Sequence, residues 1–211
     1  MRGVAKIALV AALTTPGILR AGFCSADDGD PRQDFQVFAG YSPASTTLVG
    51  TATDRQLAVV GAAYSYRCWI YRHMSISYTG TLLPAMVLFQ PTQYVSTSRA
   101  AAAVSPAHAV YAIGVAPLGF TFEFARRRRV YPFAETIEGM IGSTEPIPEL
   151  GTNATGLNFL IDGGGGVRWR VRERQTLSLG YRFLHVSNAD TTNFNPGLDN
   201  NVFYVGYSFS R

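Results

Sequence analysis

The sequence predicts an all-β chain: an eight-stranded antiparallel transmembrane β-barrel of the outer-membrane type, following an N-terminal signal peptide. Three observations carry that reading. The chain opens with an export-type leader. No apolar run after the leader is long enough for a transmembrane helix. The remainder divides into eight segments of roughly ten residues rich in Val, Ile, Tyr, Phe, Thr and Ser. Eight is an even number, as bacterial barrels require, and the lengths suit tilted strands crossing a bilayer.

The leader comes first. Arg2 and Lys6 give a positive start, Ile7 to Leu19 is mostly apolar, and Cys24-Ser25-Ala26 places small residues ahead of Asp27-Asp28. That order predicts cleavage after Ala26, leaving residues 27–211 as a single barrel domain. The apolar run falls short of the about 20 residues that a membrane helix needs, which disfavours a retained anchor. Bulky Phe23 disfavours a lipoprotein site at Cys24. Loss of Arg2, Lys6 and Arg20 lowers the formal net charge from +4 to about +1, so basicity is no argument for a nucleic-acid partner. Cys68 then stands alone, without a disulfide framework. His73, His108 and His185 lack zinc spacing, and no metal or cofactor is expected.

The strands are expected around Asp34–Tyr41, Gln56–Cys68, His73–Leu83, Val110–Phe124, Val130–Ile141, Gly156–Trp169, Gln175–Val186 and Asn201–Phe209. Cys68, beside Trp69 at the end of the second, reads as a buried or interfacial thiol. The alanines of 100–103, with prolines nearby, read as an external loop with a helical turn. Arg126 to Arg129 fall between the fourth and fifth segments, a periplasmic turn if both termini face the periplasm. Solvation or contact with inner-leaflet phosphates explains them better than nucleic acid. Gly163 to Gly166 lack the Gly-Lys-Ser/Thr of a phosphate loop and read as relief of crowding in a curved strand.

Alternation is clearest in the last two segments. Leu177, Leu179, Tyr181 and Phe183 share one parity; Thr176, Ser178, Gly180 and Arg182 share the other. Phe203, Val205, Tyr207 and Phe209 likewise share a face. A soluble sandwich also alternates, with its apolar face turned inward. The leader and the aromatics near strand ends favour a barrel with that face toward lipid. Eight strands leave an interior filled by side chains, which disfavours a porin.

One motif carries chemistry. In His185-Val186-Ser187-Asn188-Ala189 an imidazole and a hydroxyl lie two residues apart at a strand end, hence on one face. A base needs that placement to take a proton from a nucleophilic hydroxyl. Both residues continue the lipid-facing parity of Leu177 to Phe183. Asp199, counted back from Phe203, has the same parity on the next strand. Polar groups on a lipid face are costly, which argues for a functional reason.

Residues from about Leu179 to Phe209 resemble the C-terminal part of the lipid A 3-O-deacylase family (PagL-type), grouped with acyloxyacyl hydrolase-like proteins. The resemblance rests on His185-x-Ser187-Asn188-Ala189, the turn Asn195-Pro196-Gly197 and the closing Gly206-Tyr207-Ser208-Phe209. It implies an outer-membrane esterase that cleaves an ester-linked acyl chain, at the 3-O position, from lipid A of lipopolysaccharide without a metal. It implies Ser187 as nucleophile, His185 as general base, Asn188 with the Ala189 backbone at the oxyanion, and Asp199 where active members carry a glutamate. Asp190 is the competing carboxylate. Because aspartate is one methylene shorter, Asp199→Glu is expected to preserve or raise turnover. The partner implied is lipid A in the outer leaflet; a homodimer is left open. The alternative is a non-catalytic structural or adhesive barrel keeping a relic motif.

Overall fold

In a computed structural model, residues 32–97, 100–147, 155–192 and 195–211 are described. The leader expected over 1–26 lies outside them. In chain order the strands are β1 (Gln33–Ser42), β2 (Ser45–Thr46), β3 (Gln56–Tyr71), β4 (Met74–Gln90), β5 (Gln93–Thr97), β6 (Ala100–Ser105), β7 (His108–Glu123), β8 (Val130–Ile147), β9 (Thr155–Arg172), β10 (Gln175–Ser187) and β11 (Leu198–Ser210). Eight of them, β1, β3, β4, β7, β8, β9, β10 and β11, pair antiparallel in that order, and β1 closes on β11. Each of the eight expected segments falls on one of these barrel strands, with only His73 and Phe124 at their ends lying outside them. Closure leaves no unpaired edge, which is the condition for a sheet to span lipid.

The two ends differ. At one, β3–β4 and β9–β10 are joined by two-residue turns and β7–β8 by residues 124–129, with the barrel termini alongside. At the other, the connections are longer, and two of them carry β2 and the β5–β6 hairpin. Short turns face the periplasm and longer loops the exterior. The helical turn expected over Ala100–Ala103 is corrected: the segment is strand, paired through Tyr94↔Val104 and Val95↔Ala103. A two-stranded ladder there outweighs the helix preference of alanine, which is weak against long-range pairing.

The apolar parity faces outward. Leu177 is 37% and Leu179 60% exposed, while Thr176, Ser178 and Arg182 between them are buried in the lumen. The lumen is layered. Its periplasmic half holds a buried ionic network in which Glu123 accepts from Arg168 Nη1 at 2.6 Å and Ser75 Oγ at 2.9 Å, with Arg126 Nε at 3.0 Å. Higher up, Arg182 Nε donates to Glu135 at 2.7 Å and its guanidinium lies over Phe38 and Tyr204. The exterior half is apolar, filled by Leu57, Leu88, Val110, Ile141, Leu160, Leu184, Val186 and Leu198. In the glycine run, a Cβ on Gly164 or Gly166 would strike the backbone of Tyr181 or Leu179, which accounts for those two bare positions.

Candidate active site

Strand β10 presents His185 and Ser187 on the outer wall, while the intervening Val186 and the preceding Leu184 sit in the apolar layer behind. Those buried neighbours fix the register, because a slip of one residue would turn His185 inward. Across the ladder His185 is paired directly with Asp199 of β11. Its Nδ1 lies 2.6 Å from Asp199 Oδ1. Nδ1 is engaged by the carboxylate, and among the described residues no hydrogen bond joins Ser187 to Nε2: the structure brings His185 to Asp199 but does not bond it to Ser187.

Asp199 has the expected outward parity, yet its exposure is 0%. The first external connection covers it. Strand β2 takes over from β1 beside β11, pairing Thr46 with Asp199, and the chain then folds across the carboxylate. Asp199 Oδ2 accepts the backbone N–H of Val49 at 2.6 Å and of Gly50 at 2.8 Å. The cover is itself tied down: Thr51 donates to the Pro196 carbonyl from both its N–H and its hydroxyl, each at 2.7 Å. Gly50 and Gly197 pack backbone to backbone, a Cβ on Gly50 falling 2.7 Å from the Gly197 carbonyl. Gly197 has φ +61, which glycine adopts without steric cost. The Asn195-Pro196-Gly197 turn is thus the floor on which the covering loop rests.

These backbone donors were not visible in the sequence. Every non-proline residue carries an N–H, so a role for Val49 and Gly50 leaves no mark in residue type. Gly50 is the single trace, as the position where no side chain fits. Asp190 is placed differently: its N–H is bound by Asn188 Oδ1 at 3.0 Å, within the loop after β10. It is Asp199 that meets His185.

Asn188 is buried and engaged in that loop. Its N–H donates to Asn195 Oδ1 at 3.1 Å and its Nδ2 to Thr192 Oγ1 at 2.8 Å. Ala189 and Asp190 follow with φ of 50° and 58°, so the chain turns sharply just after the serine. The Asn188–Asn195 bond brings a second side-chain amide, from the Asn195-Pro196-Gly197 turn, to the loop that follows Ser187.

Comparison with known proteins fits this geometry. Residues 41–208 match the family described as Lipid A 3-O-deacylase (PagL). The chain belongs to that family. Among solved structures, the outer membrane enzyme PagL matches with a TM-score of 0.55 and 16% identity, over 84% of this chain and 99% of that one. Neisserial surface protein A matches with a TM-score of 0.51 and 13% identity, over 85% and 97%. At such identities the likeness concerns the fold, an outer-membrane barrel. No curated protein matches the sequence. The match to the PagL family takes in β10, the loop after it and nearly all of β11. The His–Asp pair, Ser187 and the covering loop all fall inside it.

Proposed function

We propose that this PagL-family chain is an outer-membrane esterase that removes the 3-O-linked acyl chain of lipid A, using Ser187, His185 and Asp199. The observation that carries the proposal is the 2.6 Å contact between His185 Nδ1 and a fully covered Asp199, on the wall facing the outer leaflet. Ser187 Oγ attacks the ester carbonyl as His185 Nε2 takes its proton. Asp199 holds the imidazole in the tautomer with Nδ1 protonated and stabilises the imidazolium that forms. Collapse returns the proton to the departing sugar hydroxyl and leaves an acyl-serine. Water, deprotonated by the same histidine, then releases the fatty acid.

The oxyanion needs fixed donors. We assign the Ala189 N–H, and the Asn188 amide once it exchanges Thr192 for substrate. The Asn195 amide, already oriented by Asn188, is a further donor at the same corner. A wall site suits the substrate, whose ester lies at the leaflet surface and reaches the serine laterally from the bilayer.

The test is mass spectrometry of lipid A incubated with purified barrel in detergent. Wild type is expected to release one hydroxyacyl mass, and Ser187→Ala to release none while keeping the folded mobility of a barrel. His185→Ala should be comparably inactive, because members of a catalytic unit do not act additively. Full activity in either variant would remove the mechanism; an inactive wild type would favour the non-catalytic barrel.

A further inference from the structure

The periplasmic end carries a second site, unrelated to ester chemistry. Every exposed arginine among the described residues is there: Arg72 in the β3–β4 turn, Arg127 to Arg129 in the β7–β8 turn, Arg172 and Arg174 around the β9–β10 turn, and Arg211. The exposed carboxylate at this end is Glu173, while Glu123 and Asp34 are buried. Glu123 is already held by Arg67, Arg126 and Arg168. The balance outside the lumen is strongly positive.

The arginines stand on a fixed frame. Arg126 N–H donates to the His73 carbonyl at 3.1 Å, joining the two turns. Arg170 Nη2 donates to the Arg126 carbonyl at 2.7 Å, and Arg170 N–H to the Arg129 carbonyl at 2.8 Å. Between the turns lies a cavity of about 310 Å³, lined by Arg72, His73, Arg126, Arg127 and Arg170 together with Ile70 and Met74. The outward rings Trp69, Tyr71 and Trp169 mark the level of the membrane interface. Arg72 lies over Tyr71 at 5.2 Å and Arg129 over Trp169 at 5.7 Å. Arg72 and Arg129 therefore sit at headgroup depth, and Arg72 also lines the cavity.

We propose that this cavity binds the phosphate of an anionic phospholipid from the periplasmic leaflet, with its glycerol end against the exposed Met74. Guanidinium forks match phosphate oxygens in pairs, and arginines from two turns can grip one headgroup from two sides. The exposed Met74 and the position of Arg72 over the interfacial Tyr71 favour a lipid over free phosphate. The site fastens the barrel in the inner leaflet while catalysis proceeds at the opposite end.

The experiment uses the full barrel in detergent, with native mass spectrometry of bound lipid at increasing salt. Phosphatidylglycerol is expected to bind well above phosphatidylcholine, and its binding to weaken with salt. The double variant Arg72→Gln/Arg127→Gln alters two exposed side chains. It should weaken phosphatidylglycerol binding roughly thirtyfold, each cation near an anionic headgroup contributing about fivefold. Equal binding of the two lipids, salt-independent binding, or an unchanged double variant would overturn the proposal. Inorganic phosphate displacing the lipid at equal concentration would also overturn it, since the site would then be a simple anion site.

Discussion

The resemblance to lipid A 3-O-deacylases implies a glutamate where this chain has Asp199, and the contacts of the shorter carboxylate are fully used. One oxygen meets His185 at 2.6 Å; the other is held by two backbone N–H groups at 2.6 and 2.8 Å. The two 2.6 Å contacts are short for N–H···O bonds, and Asp199 is fully buried. An added methylene would push the carboxylate into the Val49–Gly50 backbone or past the imidazole. The sequence-level expectation that Asp199→Glu preserves or raises turnover therefore reverses: the variant should lose activity, about tenfold or more. Asp199→Asn should lose on the order of a hundredfold or more, because an amide can hold His185 in the wrong tautomer. Both are read as kcat on lipid A at saturating substrate. A glutamate variant equal to wild type would show that the cover yields, and that the short arm is not matched to it.

At the scale of elements, the segment after β2 is what covers the proposed acid, through the Val49 and Gly50 N–H groups. Its tip exposes Leu48 at 77% and Val49 at 64% while its backbone faces Asp199, so solvent or lipid meets the side chains and the carboxylate meets the amides. Gly50→Ala would set a methyl 2.7 Å from the Gly197 carbonyl and lift the segment. The expected result is a fall in kcat of roughly tenfold to a hundredfold, the worth of hydrogen bonds to a charged group, with the barrel's unfolding midpoint unchanged. A parallel loss of midpoint would mean that the segment is structural instead. The barrel strands were legible in the sequence because a side-chain period of two separates Leu177 and Leu179 from Ser178 and Gly180 without any knowledge of partners. The same period put His185, Ser187 and Asp199 on one wall. Strand β2 was not legible, since two residues carry no period. The β5–β6 hairpin was missed because its alanines have no strand preference to read and gain one only from pairing.

Across the whole molecule, the barrel separates an apolar half behind the proposed site from a charged half along its axis. The exterior half is plugged by aliphatic side chains behind the site, so Leu184 and Val186 hold His185 and Ser187 by packing. The periplasmic half is held by charge: Glu123 is shared by Arg67, Arg126 and Arg168 and bonded by Ser75, all at one level of the lumen. Removing the one carboxylate common to three arginines takes from each its Glu123 contact, while Arg168 keeps Asp34 at 3.9 Å; a broken buried pair costs about 3–5 kcal/mol. Glu123→Gln should therefore lower the urea midpoint of unfolding markedly, followed by the fluorescence of Trp69 and Trp169 near that end. Activity of the fraction still folded should match wild type, because no member of the network touches β2, His185 or Asp199. Replacing Glu123 together with Arg168 by apolar residues should recover part of the stability, since the desolvation cost of both charges disappears with them. If Glu123→Gln instead lowered kcat in fully folded protein, the lumen would be setting the geometry of the outer wall. The division between a packed catalytic end and a charged anchoring end would then fail.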